Sequence, residues 1–440
     1  MFRSLTVKEI TGGFDPSFWA TDVLRAAQAH PAIWHAGLAF SALHQRMKIS
    51  SSQGDSRLFA QDYYTIGMTQ YNISIGHLIK LTRKPVLSYA DKQAVVLAST
   101  MHYGLCCLQK QLKQATVHVA NALNLFKQWK LWEDVETSSP GLRRGRSLLD
   151  AASLLRHVAY CFQDLEAIDF YLAPAGLAKK LYAPATSSTE PFKSITEATF
   201  ALNALHCFGF MRGELISDVN YKSQQLPLPS DSWTERRARD SWKERFADIE
   251  ESPRHQLADP DGLALLQLMI EFDETFHIAC VDPRPEVRAA LTPRYARLLD
   301  LAEMQLAKRS ATLGTQLQLP PPPSFSFCVT PTYVVHMVGI VCRNRSVRCR
   351  SIDIQKRFPQ AYGLWSSYVS AAIVEAKMNF ESAGMDMGAC ACVPDIKVCD
   401  DHRSVDFDIG FETEGFVSIT IKSATELRKG LPGSTTLHPL

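Results

Sequence analysis

No C-x2-C pair occurs in this 440-residue chain, no apolar run approaches a membrane span, and neither sign of charge prevails. Each absence excludes a class of protein. Without C-x2-C there is no opening for a binuclear zinc cluster, whose C-x2-C-x6-C start lets closely spaced thiolates surround two metal ions. The net charge of +2, from 47 basic and 45 acidic residues, gives no bulk electrostatic pull toward nucleic acid. The most continuous apolar run, Tyr333 to Cys342, contains His336 and falls far short of the roughly 20 residues that cross a bilayer. No apolar stretch follows the early Arg3, so no secretory signal is expected and the chain reads as intracellular and soluble. G-x4-G-K-[ST], G-x-G-x-x-G, G-x-S-x-G and H-E-x-x-H are also missing. The phosphate-loop, dinucleotide, nucleophile-elbow and zinc-protease signatures go with them.

What is present is apolar spacing at three and four residues, in long stretches. Phe18 to Met47 reads as two helices broken near Pro31. Further helices are expected from Arg57, Tyr89 and Leu112, and again from Leu148, Ser194, Ser232, Asp261 and Pro285. Consecutive helix hairpins of this kind make an all-α, multi-helix array. Leu319 to Ser324, "LPPPPS", cannot be helical and forms a stiff connector, after which three more helices are expected, the second stopped by Pro359. Only the end differs. "VDFDIGF" and "FVSITIK" alternate apolar and polar residues around "ETEG", which predicts a small C-terminal β-hairpin resting on the helical body. The last twelve residues, "KGLPGSTTLHPL", are expected to be mobile. The resulting division is an N-terminal extension over 1–13, a helical domain over 14–385 with the connector 319–324 inside it, and a hairpin with its tail over 386–440.

Several residue groups invite a chemical reading. Cys342 and Cys349 share the x6 spacing of a zinc cluster within a basic run of Arg343, Arg345, Arg348, Arg350, Lys356 and Arg357, but no second pair completes the set. Cys342 is expected to end a buried helix, with the arginines on an exposed turn and the start of the next helix. Cys390 and Cys392 form C-x-C, a spacing that rarely closes a tetrahedral site. The eleven cysteines are an odd number, scattered from Cys106 onward, and read as reduced packing residues rather than a disulfide framework. Glu274 and His277, beside Glu271 and Asp273, make one Glu-x-x-His; a di-iron bundle needs two copies with two further glutamates, so a capped or solvated helix face is the expectation. His30, His35 and His44 do not share a helical face and are expected to complete hydrogen bonds at helix junctions. Arg143, Arg144 and Arg146 read as a solvated loop, with nuclear import or an anion contact as the alternative. Trp129, Trp132, Phe162, Tyr171, Phe208 and Phe210 read as core, although a helical array can leave apolar cavities where a small effector binds. No residue is assigned as catalytic, cofactor-binding, metal-binding or DNA-binding, and no cofactor is expected.

A helix ending at Cys342-Arg343, an Arg-rich turn, an amphipathic helix and then Gly363-Leu364-Trp365 opening a last helix resemble the C-terminal part of the fungal-specific transcription-factor domain. Earlier segments are similar too. "FWATDVLRAAQAHPAIWHAGLAFSALHQ" resembles that family's Phe-Trp start and Pro-x-x-x-His-Ala turn, "QYNISIGHL" its Gln-Tyr-Asn helix, and "VHVANALNLFKQW" its later His-containing helix. These segments are spread over Phe14 to Glu381. The resemblance implies an all-α regulatory domain, while the zinc cluster and coiled coil that normally precede it have no counterpart, so no DNA-contacting residue carries over. The function implied is a nuclear, or nuclear and cytoplasmic, transcription regulator that acts through protein partners: a DNA-bound or homologous regulator, without specific DNA binding of its own and without a membrane. Secondary metabolism is the expected setting, and a small-molecule effector is a further candidate ligand. The alternative reading is a biosynthetic enzyme, a cyclase or similar, that reuses the fold around an apolar cavity and positions its substrate there.

Overall fold

The computed structural model describes residues 2, 6–11, 18–50, 56–129, 131, 189–199, 201–202, 205, 232–252, 259–282, 284–312, 323–327, 330–363, 365–383, 390–410 and 416–439. Among the described residues there are fourteen α-helices and a three-stranded antiparallel sheet near the C-terminus, so the chain is mostly α as its periodicity predicts. The chain divides into two compact units. The first is made of 1–183, 322–329 and 360–365, and the second of 184–321, 330–359 and 366–440.

The first unit contains α1 (Val7–Ile10), a π-helical turn (Phe18–Asp22), α2 (Val23–Ala29), α3 (Pro31–Ser50), α4 (Ser56–Thr82), α5 (Tyr89–Leu108) and α6 (Leu112–Gln128), with two short parallel strands, β1 (Ser324–Ser326) and β2 (Gln360–Tyr362). The break before Pro31 falls where expected. His30 is extended, at φ −127° and ψ 104°, because the proline ring disfavours a helical residue ahead of it. Helix α5 begins at a capping box in which Ser88 and Asp91 each accept the other's backbone N–H, and most of its side chains are buried. An aromatic core lies against it. Trp19 stacks on Phe327 at 5.1 Å, and Phe40 and Phe325 meet Phe327 edge-on or tilted. Gly104 admits this packing, since a Cβ there would stand 2.6 Å from the Phe40 ring. A polar seam crosses the apolar packing. Ser74 donates its hydroxyl proton to the Ala32 carbonyl (2.6 Å), so the contact with His102 Nε2 (2.8 Å) must be donated by the imidazole. Burial, and then His118 nearby, hold the His102 pKa down at about 3, so the ring is neutral.

The second unit contains α7 (Ser232–Glu251), α8 (Pro260–Val281), α9 (Pro285–Ala290), α10 (Thr292–Thr312), α11 (Pro331–Val341), α12 (Arg345–Arg357) and α13 (Ser367–Ser382). The three helices expected after the connector are therefore present. Gly339 on α11 sets their spacing: a Cβ there would lie 2.5 Å from Ser351 Oγ on α12 and 2.8 Å from Val374 on α13. Phe272, Phe276, Tyr295 and Tyr333 form one aromatic cluster, and Phe192, Trp242 and Phe246 another.

The C-terminal hairpin is present as β3 (Ser404–Gly410) and β4 (Phe416–Ser423). Val417, Ile419 and Ile421 are buried at every second position, and β4 packs against α13, as a lone hairpin requires. The expectation for the tail is corrected. After a short helix, α14 (Ala424–Lys429), residues Ser434–Pro439 form β5 and pair antiparallel with β4. Gly430 and Gly433, at φ +67° and +84°, turn the chain back, and the Thr420 and Thr435 hydroxyls meet at 2.9 Å across the new pair.

Candidate metal centre and the arginine turn

The basic run after α11 is held almost entirely by partners inside its own unit. Cys342 ends α11 and is buried, as expected. Arg348 corrects the expectation of an exposed arginine turn. It is only 4% exposed, donates through Nε to the Cys342 carbonyl (2.5 Å) and pairs with Glu381 (2.7 Å). Lys377 reaches the same carboxylate at 2.5 Å, and the Ser404 hydroxyl donates to it at 2.7 Å. Burial pushes the Glu381 pKa up, but Lys377 and Arg348 outweigh it and hold the carboxyl at about 2. Further along, Arg350 pairs with Asp300 and Glu303, Arg357 with Glu303 and Asp353, and Lys356 with Glu375. At the start of the turn Arg343 donates to the Ile396 carbonyl (3.2 Å).

That last contact leads to a group of residues that sequence reasoning did not bring together. The sulfurs of Cys390, Cys392 and Cys399 and one ring nitrogen of His402 all lie within 4.8 Å of one another, and each residue is partly exposed. Local chain geometry explains how. Val393 and Lys397 exchange two backbone hydrogen bonds of 2.8 Å, closing a tight turn in which Pro394 presets φ and Asp395 takes φ +62°. This turn sets Cys392 beside Cys399, whose backbone N–H donates to Cys392 Sγ at 3.2 Å. A second turn follows. His402 and Arg403 N–H both donate to the Cys399 carbonyl (3.1 and 2.8 Å), bringing His402 Nδ1 to 3.2 Å from Cys399 Sγ and 3.4 Å from Cys392 Sγ.

The first turn is seated on the arginine turn. Asp395 accepts from the backbone N–H of Arg345 (2.9 Å) and from the Asn344 amide (3.3 Å), capping α12 from outside while Asn344 caps it from within. The neighbouring carboxylates are engaged elsewhere, Asp400 with Arg403 and Arg428 and Asp401 with Thr425. Burial raises the Cys399 thiol, but hydrogen bonds, first from His402 and then from Cys392, outweigh it and draw the pKa down to about 7. Burial chiefly pushes Cys392 up, to about 11. The signal that reveals the group is the thirteen-residue pattern C-x-C-x6-C-x2-H taken as a unit; Cys390 and Cys392 alone do not carry it.

The other sequence candidates take structural places. Cys349 is exposed, with its sulfur 4.0 Å from Met378 Sδ, and Cys106 and Cys107 are buried. Cys349, which is exposed, and Cys390, Cys392 and Cys399, which are only partly buried, depart from the expectation of packing cysteines. On α8, Glu274 pairs with Lys243 and Arg294, Glu271 with Arg294, and Asp273 with Arg239, which also contacts His277. The Glu-x-x-His is thus held by cations of α7 and α10. His35 bonds Gln70 at 2.6 Å and stacks on His77, and His44 bonds the buried Glu9 at 3.0 Å, whereas His30 occupies the break between α2 and α3. Trp129 lies 6.0 Å from the Lys92 ammonium. Arg143, Arg144, Arg146, Trp132, Phe162, Tyr171, Phe208 and Phe210 lie outside the described residues. Among the described residues no helix is long and apolar enough to cross a membrane. No family model, curated protein or solved structure matches the chain.

Proposed function

We propose that this chain is a non-enzymatic transcription regulator that acts through protein partners, in the nucleus or in both nucleus and cytoplasm, and without a DNA-reading part among the described residues. The observation that carries the reading is an apolar stripe on α4. Phe59, Ile66 and Ile73 recur every seven residues and are 61%, 50% and 37% exposed, the pattern of a helix face that seats another helix. The fate of the basic run supports the same conclusion. Arg348, Arg350, Arg357 and Lys356 hold carboxylates of their own unit, so they are not set out as phosphate contacts. The resemblance of the helical segments to the fungal-specific transcription-factor domain supplies the class of partner, a DNA-bound or homologous regulator, and secondary metabolism is the setting it suggests. Such a protein biases its partner by binding one of its states better, a coupling of about 1 to 3 kcal/mol.

The test is a gel shift with promoter DNA. Purified chain alone gives no sequence-dependent, salt-resistant shift; added to extract from a strain lacking the gene, it restores a slower complex, and the double variant Ile66→Glu, Ile73→Glu does not. A specific, salt-resistant shift by the chain alone overturns the proposal.

A further inference from the structure

We propose that Cys390, Cys392, Cys399 and His402 bind one Zn2+ as a closed, structural Cys3His site that locks the C-terminal sheet to the start of α12. The donor spacing suits the ion. Tetrahedral Zn2+ with bonds of about 2.3 Å to sulfur and 2.0–2.1 Å to nitrogen needs S···S separations near 3.8 Å and S···N separations near 3.6 Å. Here two of the S···N separations are 3.2 and 3.4 Å and all four donor atoms fall within 4.8 Å of one another, close to the spacing the ion needs. Donor chemistry selects the metal as well. Three thiolates and an imidazole are soft ligands that favour Zn2+ over Mg2+ or Ca2+, and with Asp400 and Asp401 engaged by Arg403, Arg428 and Thr425 no adjacent carboxylate competes. Four protein donors leave no open position, which makes the site structural rather than catalytic.

The surroundings are built as for a metal site. The Cys399 N–H donates to Cys392 Sγ, the kind of contact that orients and stabilises a ligating thiolate. Three thiolates around one Zn2+ leave one net negative charge, and the Arg343 guanidinium is tied to the Ile396 carbonyl of the same turn. Asp395, held by Asn344 and Arg345, sits at the tip of that turn, and Ser404, two residues beyond His402, opens β3 and bonds Glu381 on α13. One ion therefore fixes the segment between the arginine turn and the sheet, a stretch in which no residue from 390 to 403 is buried.

The 440-residue chain, purified under reducing conditions, is expected to carry one zinc per molecule by elemental analysis. Cys399→Ser and His402→Ala should lose at least nine-tenths of it, whereas Cys349→Ser keeps it. Replacement with Co2+ should give the visible bands of a tetrahedral thiolate site, absent from Cys399→Ser. A chain whose helical circular dichroism is intact but which carries no metal and binds no Co2+, or one in which two of the three cysteines are joined as a disulfide after anaerobic purification, overturns the proposal. So does zinc that survives both Cys399→Ser and Cys390→Ser. To separate metal loss from misfolding, a strong chelator applied to the wild-type chain should raise amide exchange over 393–404 and leave α5 unchanged; exchange that does not respond in that segment contradicts the structural role.

Discussion

Replacing Glu381 with Gln keeps its shape and removes its charge, leaving Arg348 and Lys377, 4% and 8% exposed, as two buried cations with no anion between them. Breaking a buried pair by removing one partner costs about 3 to 5 kcal/mol, because the remaining charge stays desolvated. The loss falls on α13, which carries Glu381 and Lys377, and on β3, which begins at Ser404. With two compact units in the chain a single unfolding free energy is not well defined, so the readout should be local. Hydrogen exchange over Ser367–Ser382 is the assay. Opening to solvent should become roughly a hundred to a few thousand times more frequent, the range equivalent to about 3 to 5 kcal/mol at 1.4 kcal/mol per factor of ten. The triple variant Arg348→Met, Lys377→Met, Glu381→Leu, which removes all three charges, should recover most of the protection. Protection in Glu381→Gln within threefold of wild type would refute the reasoning, as would a triple variant no better than the single one.

Three further outcomes follow from the same structure. Gly339→Ala places a Cβ 2.5 Å from Ser351 Oγ and 2.8 Å from Val374, and should destabilise the α11–α13 layer by about 1 to 3 kcal/mol, read as faster hydrogen exchange over Pro331–Val341. The Glu381 carboxyl, held at about 2 against an ordinary value of 4.5, favours the folded state fully above about pH 4.5 and loses that contribution, roughly 3 kcal/mol, as pH falls toward 2; exchange over α13 should rise through that window in wild type and vary less in Glu381→Gln. In the first unit, Ser74→Ala strands the His102 Nε2–H in the core and should cost about 1 to 3 kcal/mol, read as faster hydrogen exchange over α5, while Ser74→Thr, which keeps the hydroxyl, recovers part of it.

Features that leave a periodic apolar pattern are legible in the sequence, and turns and contacts that leave none are not. The break at Pro31 and the three helices from Pro331 to Ser382 follow from helical spacing and from proline's missing N–H, both properties of the chain itself. The β3–β4 hairpin was legible for the same reason, since alternation at period 2 records burial on one face. The third strand was missed because Ser434–Pro439 is polar and exposed, so its place is set by backbone pairing to β4 and by the left-handed glycines at 430 and 433, which leave no apolar pattern. The burial of Arg348 is not legible because its partners, Glu381 and the Cys342 carbonyl, are 33 and six residues away in sequence, and spacing alone does not reveal a fold that closes that distance. The Cys/His group escaped for a related reason. Its closure depends on the left-handed Asp395 and on the turn from Cys399, conformations that residue types permit without announcing.

The regulatory reading is tested most directly by deleting the gene and profiling transcripts and metabolites from the same cultures. A coherent set of transcripts should change together, with metabolites following the genes that make them, and the wild-type chain but not Ile66→Glu, Ile73→Glu should restore both. Transcripts that hold steady while one metabolite vanishes and its precursor accumulates would overturn the regulatory role and make the helical array an enzyme.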